Sequence, residues 1–534
     1  MNSEQLARAV VAELVKAGVT TFVLCPGSRS APLAYALRDA ATAGVVELHV
    51  ETDERVAGFV ALGSGIAGSP AAVVTTSGSA VANLHPAVEE AAYAGVPMVV
   101  LAADRPHEMR GVRASQTADH RGVLEASVRF VAEIPAGVLS VRGQVRKAVH
   151  KATGCEPGPV LINVAFRDPL MPSTPWEDPL GDCTEEVPQA GRRPVVIAGP
   201  ATQAGSAAPT KSVPQNMPIL AEPTSPLRGA PTSVNPLLLR SPLRDQIDTA
   251  IVVGHPTLSR EVTALLADPK VTVYAVDEPA GYTDVAGTAW VVDDVGDFPT
   301  QPGWVDQWLD ASQRVEEAIE HELALSDELT YPAIARIINA APVPTQLAAS
   351  SIIREVNLYG GKPGGPRFAN RGLAGIDGTM STALGLAIAL GEPVRVVVGD
   401  LAFVHDAGAL IRGVENKVAG LDVVVVDDHG GSLFATLEYG KGDEQAYDQL
   451  FRTERGIDVQ AYAKAVGAKY VRATTASELA QLVANMPSDC VRIVHVDLGR
   501  TSMSAERGRR AQFAQTVTSV AYELEPRGKN DGES

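Results

Sequence analysis

The stretch VVVVDDHGGSLF, residues 423–434, decides how this chain is read. Four consecutive valines describe a strand buried on both faces, the habit of a parallel sheet covered by helices. The strand then stops at two acids and a histidine, and two glycines follow at once. A plain turn needs only one acid and one glycine. Negative charge followed by backbone freedom marks a strand end built to hold something, and open parallel sheets bind ligands at the carboxyl ends of their strands.

A second strand in the same part of the chain also ends in acid. VRVVVGD (394–400) closes on Asp400, twenty-eight residues before Asp428. That interval has room for one crossover helix, so the two strand ends are expected side by side. Two converging carboxylates suit Mg²⁺, which is usually held by one or two carboxylates plus substrate phosphates. A glycine carbonyl next to them is a further ligand, and the helix after Asp400 would turn its first N–H groups toward a phosphate. Either acid alone reads better as a helix cap or a turn residue. Their pairing on successive strands favours the cation.

Working outward, the same strand–loop–helix pattern fills the chain and predicts an α/β fold of three consecutive parallel-sheet domains, 1–175, 190–325 and 326–534. Expected strands in the first are 21–25, 45–50, 71–76, 97–103 and 159–166. In the second they are 195–199, 218–222, 249–254, 271–277 and 289–294, with an acid-rich helix over 304–325 closing the block. In the third they are 346–350, 394–400, 421–428 and 491–497. The Pro-rich segment 168–194 reads as a linker and the tail 527–534 as disordered.

Bulk composition narrows the function classes. The 534 residues are 45% hydrophobic and 20% charged, enough to build large cores. A net charge of −18 argues against nucleic acid or an anionic membrane as partner. Four scattered cysteines without a C-x-x-C pair predict neither a zinc site nor a disulfide framework, and point to a reducing cytoplasm. The first residues form an amphipathic helix through Leu6, Val10, Val11 and Leu14 rather than a signal peptide, and no apolar run is long enough to span a membrane.

GDL (399–401) followed by DDHGG (427–431) resembles the binding motif of the thiamine diphosphate-dependent enzyme family. The resemblance implies thiamine diphosphate with Mg²⁺ or Mn²⁺, ligated by Asp400, Asp428 and the Gly430 carbonyl, with Leu401, Ser350, Ile376 and Phe434 at the cofactor. Where the motif carries asparagine this chain has Asp427 and Asp428, which adds negative charge beside a diphosphate. Family members activate the cofactor with a carboxylic acid facing its aminopyrimidine. Such a group should sit in the apolar interior, where desolvation raises its pKa. In ELHVETDERVAGFVALG (47–63) the resemblance selects Glu54, with Glu51 and Asp53 as rivals. The alternative is a set of acids at a helix start, where the macrodipole favours them.

A narrower resemblance, to the menaquinone-pathway branch, covers the whole chain in order. It rests on CPGSRSAPL (25–33), TTSGSAVANLHPAV (75–88), ADRPHEMRGVRASQT (103–117), PTLSREV (256–262), SSIIREV (350–356) and FANRGLAGIDGTMSTALG (368–385). That branch joins 2-oxoglutarate to isochorismate, both dicarboxylates, and guanidinium groups suit such anions. The resemblance therefore implies substrate contacts at Ser28, Arg29, Arg105, Gln116, Arg260, Arg354 and Arg371, with Arg371 also catalytic. Ser259 stands where the branch often has lysine before Arg260. The first-domain glutamate and third-domain metal site come from different subunits in the family, which implies a homodimer or homotetramer. Two alternatives stay open: a pyruvate-using carboligase or decarboxylase of the same cofactor class, and a catalytically silent binding homologue.

Overall fold

A computed structural model describes residues 1–184, 191–200, 215–278, 281–292, 294–296, 298–411 and 420–521. The chain divides into two compact units, one of residues 1–189 with 284–289 and one of the remainder. The expected tail at 527–534 lies outside the described residues.

The first unit holds one six-stranded sheet. Its strands are β1 (Thr21–Leu24), β2 (Glu47–Val50), β3 (Ala71–Thr75), β4 (Met98–Asp104), β5 (Phe130–Ile134) and β6 (Pro159–Ala165), in the order β2-β1-β3-β4-β6-β5. The second unit holds two sheets. One is β11-β10-β9-β7-β8, from β7 (Pro194–Ala198), β8 (Ile219–Ala221), β9 (Thr249–Val253), β10 (Thr272–Val276) and β11 (Trp290–Val292). The other is β13-β12-β14-β15-β17-β16, from β12 (Thr345–Leu347), β13 (Arg367–Phe368), β14 (Val394–Gly399), β15 (Leu421–Asp427), β16 (Lys469–Ala473) and β17 (Val491–Asp497). The pairings are parallel throughout. This is the α/β architecture expected, with one sheet in each of the three expected regions.

Sequence patterning missed β5, β13 and β16. β5 and β16 are edge strands whose charged and half-exposed residues (FVAEI, KYVRA) interrupt the apolar run, and β13 has only two residues. Between β14 and β15, where a crossover helix is expected, the described residues form a helix over Asp400–His405 and a 3₁₀ turn at Ala407–Leu410, and 412–419 lie outside the described residues. The part of the expected linker over 168–184 is packed: Trp176 is buried, and Glu4 on the first helix accepts hydrogen bonds from Ser173 and Thr174, while 185–190 lie outside the described residues. That first helix, Ser3–Lys16, starts in a capping box between Asn2 and Gln5 and buries Leu6, Val10, Val11 and Leu14.

The opening valines are central because β15 lies between β14 and β17, where both faces are covered. The register of these strands has a visible cause. Asp422, fully buried, accepts from Arg395 Nε and Arg492 Nε at 2.8 Å each, and both arginines are its cross-strand neighbours. A slip by one residue would break both ion pairs and leave buried charge unpaired. That lock at the start of the strands pairs Gly399 with Val426 at the far end and brings Asp400 beside Asp427 and Asp428.

Candidate active site

Each sheet has one point where the chain changes direction across it, and strand ends part there to leave a crevice. The three points are β1/β3, β7/β9 and β12/β14. Arg29 and Gly78 follow β1 and β3, Thr257 and Arg260 follow β9, and Ser350 and Asp400 follow β12 and β14. The positive-φ residues other than glycine point to the same loops: among the described residues they are Arg113, Gln116, Ala374, His429 and Thr453, and the first four lie in motif loops. Such backbone is costly and collects where function over-determines it.

Asp400 is buried at the start of its helix. Burial, then the charges of Asp428 and Asp427, push its carboxyl up to about 7, against hydrogen bonds from the Leu401 and Gly430 amides. The two neighbouring aspartates are not equivalent. Asp427 is consumed locally: its oxygens meet the His429 amide and His495 Nε2 at 3.1 Å each. Burial raises its pKa, but these contacts bring it below the ordinary value. Asp428 Oδ2 accepts from the Tyr331 hydroxyl at 2.5 Å and from the Ser432 hydroxyl, while Oδ1, equally buried, has no partner. Gly430 sits at φ +123°, and a Cβ there would lie 2.4 Å from the Arg452 carbonyl, so glycine is required. Two buried acids with an orphaned oxygen suit a cation, and so the residues present fit a divalent ion. No group of three or more His, Cys, Asp or Glu side chains poised for a metal occurs among the described residues.

The second unit also gathers three of the expected arginines. Arg371 is buried, and its Nε and Nη2 donate to Thr257 Oγ1 at 3.1 and 2.5 Å, leaving Nη1 without a partner. Thr257 is itself held, because Glu222 Oε1 accepts from the Thr257 and Leu258 amides at 2.6 and 2.7 Å. Arg354 Nη1 donates to the Ser350 carbonyl at 2.7 Å. Burial, then Arg371 and Arg260, hold Arg354 below the ordinary arginine range, so the three cations share one region. A cleft of about 610 Å³ is lined by Thr257, Arg260, Arg354, Leu433 and Leu437 among others. Arg260 is exposed and paired with Glu438 at 3.1 Å. Ile376 packs half-buried against the core of the third sheet. Phe434 belongs to an aromatic group with Tyr439 and Phe451.

In the first unit, Arg29 is buried and donates to the Phe166 carbonyl at 2.8 Å. Burial, then neighbouring Arg105, lowers its pKa, and the Nε atoms of both arginines lack partners. Ser28 and Gln116 are exposed. Of the three candidate acids, Asp53 is taken as the N-cap of helix Glu54–Ile66 and by Arg55, and Glu51 is half-buried. Glu54 is half-buried in the single chain, not interior, and accepts from Asn83 at 3.4 Å. Sequence reading passed over Glu222, Thr257, Tyr331, Ser432, Arg510 and His120. Two of these stand inside quoted motifs, Thr257 in PTLSREV and Ser432 in the opening stretch. His120 is buried, with Nε2 accepting from the Gly78 amide at 3.2 Å and Nδ1 3.0 Å from Asn163 Oδ1.

Paired acids at adjacent strand ends fit a thiamine diphosphate enzyme, and the family matches show that class. Residues 4–125 match the family "Thiamine pyrophosphate enzyme, N-terminal TPP binding domain", and residues 357–496 match "Thiamine pyrophosphate enzyme, C-terminal TPP binding domain". The 2-succinyl-5-enolpyruvyl-6-hydroxy-3-cyclohexene-1-carboxylate synthase of Arthrobacter sp. (strain FB24) is 39% identical over 97% of this chain and 93% of its own length. The proteins of that name from Kineococcus radiotolerans and Mycobacterium sp. (strain JLS) are 42% identical over 90% and 94%, and 37% identical over 93% and 97%, of this chain and of their own lengths respectively. The chain belongs to the 2-succinyl-5-enolpyruvyl-6-hydroxy-3-cyclohexene-1-carboxylate synthase family of thiamine diphosphate-dependent enzymes. Among the described residues no helix is long and apolar enough to cross a membrane.

Proposed function

We propose that this chain is a cytoplasmic transferase that decarboxylates 2-oxoglutarate and adds the succinyl fragment to isochorismate, forming 2-succinyl-5-enolpyruvyl-6-hydroxy-3-cyclohexene-1-carboxylate for menaquinone synthesis. The observation that carries the reading is Arg371: a buried guanidinium held on one edge by Thr257, with Nη1 free, beside Arg354 and Arg260. Such a cluster suits small dicarboxylates, because planar guanidinium groups meet carboxylates through paired hydrogen bonds.

Thiamine diphosphate, when bound, supplies the carbanion chemistry by which a 2-oxo acid loses CO₂ and its remainder is transferred. Asp400, Asp428 and the Gly430 carbonyl would hold Mg²⁺ or Mn²⁺ against its diphosphate, with Leu401, Ser350, Ile376 and Phe434 around it. Glu54 would be the carboxyl that faces the aminopyrimidine and shares a proton with it. Arg371, Arg354 and Arg260 orient the acid groups of the substrates, and Ser28, Arg29, Arg105 and Gln116 are further substrate contacts.

The active form is a homodimer or homotetramer. Helix Glu54–Ile66 supports this, since Val56, Phe59, Val60 and Ile66 are 47%, 49%, 40% and 68% exposed on the element that carries Glu54. An apolar stripe of that kind is usually covered by another surface.

The test is incubation with 2-oxoglutarate, isochorismate, thiamine diphosphate and Mg²⁺, with mass spectrometry of the product. The expected result is the succinyl adduct and one CO₂ per turnover. Turnover of pyruvate with indifference to isochorismate would overturn the substrate assignment. No cofactor-dependent CO₂ release from 2-oxoglutarate would overturn the activity.

A further inference from the structure

Asp428 is 8% exposed, and its two oxygens are treated very differently by the fold. Oδ2 receives the Tyr331 and Ser432 hydroxyls. The direction of the second bond is forced. Arg510 Nη2 donates to Ser432 Oγ at 2.9 Å, so the single hydroxyl proton of Ser432 is left to point at Asp428. Arg510 is itself immobilised. Its Nη1 meets Glu355 Oε1 at 2.9 Å, its Nε meets Glu506 Oε1 at 2.6 Å, and its guanidinium lies 4.3 Å from the centre of the Tyr331 ring. The ring that supplies one hydroxyl and the serine that supplies the other therefore rest on the same guanidinium. Oδ1 is buried without any partner.

We propose that Tyr331, Ser432 and Arg510 are positioning residues that make Asp428 a one-oxygen ligand, and that they thereby set the site's preference for a small octahedral cation over a larger one. The proposal rests on the reading of Asp400 and Asp428 as the metal site. Its reasoning is coordination chemistry. Mg²⁺ takes six oxygens at short, near-ideal octahedral positions, whereas Ca²⁺ takes six to eight and readily uses both oxygens of a carboxylate. Two hydroxyl donors on Oδ2 block the two-oxygen mode. They leave the one-oxygen mode intact, and hydrogen-bonded partners behind a ligand are known to tune the metal as much as to hold it.

The experiment is calorimetric titration of the full-length protein with Mg²⁺ and separately with Ca²⁺, each with thiamine diphosphate present, for wild type, Tyr331→Phe, Ser432→Ala, Ser432→Thr and Asp428→Ala. Thermal melts accompany each variant to show that it is folded. The expected result is a drop of about tenfold in the Mg²⁺ to Ca²⁺ affinity ratio for Tyr331→Phe and for Ser432→Ala, with Ser432→Thr close to wild type because it keeps the hydroxyl. Equal losses for both cations, or no change in either, in folded Tyr331→Phe and Ser432→Ala would overturn the proposal. Wild-type cation binding in Asp428→Ala would overturn the metal-site reading, a result distinct from a failure of the cradle alone.

Discussion

Thr257 receives two hydrogen bonds from the Arg371 guanidinium, 3.1 Å from Nε and 2.5 Å from Nη2. The threonine follows β9 and the arginine follows β13, so two sheets of the second unit agree on the position of one cation. Thr257→Val keeps the shape and removes the acceptor, leaving two buried N–H groups unpaired. Hydrogen bonds to charged groups contribute about 1.5–3 kcal/mol, so kcat/KM for 2-oxoglutarate should fall by about tenfold to a hundredfold. Thr257→Ser should retain most of the activity. Steady-state kinetics decide the matter, and an unimpaired valine variant would remove Arg371 from substrate recognition.

Glu54→Gln preserves the size of the side chain and its contact with Asn83 but cannot share a proton in the same way. The expected outcome is a loss of about 10²–10⁴ in the rate of CO₂ release, with thiamine diphosphate and Mg²⁺ still bound. Single-turnover CO₂ measurement beside calorimetry separates the two. Unchanged turnover would pass the role to Glu51, since Asp53 is occupied as a helix cap.

Asp428→Asn keeps a neutral oxygen at the ligand position and removes one negative charge. Cation binding should survive in calorimetry, whereas Asp400→Ala should abolish it. If Asp400→Ala still bound Mg²⁺ with thiamine diphosphate at wild-type affinity, the cation would lie elsewhere.

Glu4 supplies a pH dependence away from the chemistry. The Ser173 amide, with the Ser173 and Thr174 hydroxyls and Arg8, lowers its pKa from 4.5 to about 2 despite the opposing effect of burial. A group lowered in the folded state stabilises fully above its unfolded pKa, and loses that contribution as pH falls from 4.5 through 2. Glu4→Gln should therefore flatten the acid side of the stability curve in that window and lower stability at neutral pH. Denaturant titrations at several pH values test this; curves parallel to wild type would contradict it.

Phe59→Asp places charge in the exposed apolar stripe of helix Glu54–Ile66. Sedimentation should show dissociation to monomer, and activity should fall with it. A variant that stayed assembled and active would show that this face is not the interface.

Legibility followed burial. The strands that buried both faces, such as β4, β14 and β15, wrote unbroken apolar runs into the chain and were placed within a residue or two. Edge strands β5 and β16 bury little, carry charge, and left no run to find. The motif loops were legible because they pack glycines, acids and arginines into a few consecutive positions. Their supports were not: Glu222 and Tyr331 stand in ordinary local sequence, and what distinguishes each is the residue it touches.

By itself the sequence determined the parallel α/β architecture, the strand ends that carry acids and arginines, and the doubled negative charge at 427–428. Those properties depend on neighbours a few positions apart along one chain. Only the tertiary structure decided which aspartate is consumed and which keeps an oxygen free, and which edge of Arg371 is open. The reason is physical: these choices are made by hydrogen bonds between distant positions, such as Tyr331 to Asp428 across 97 residues and Arg371 to Thr257 across 114, and a bond of that reach leaves no pattern in the segments it joins.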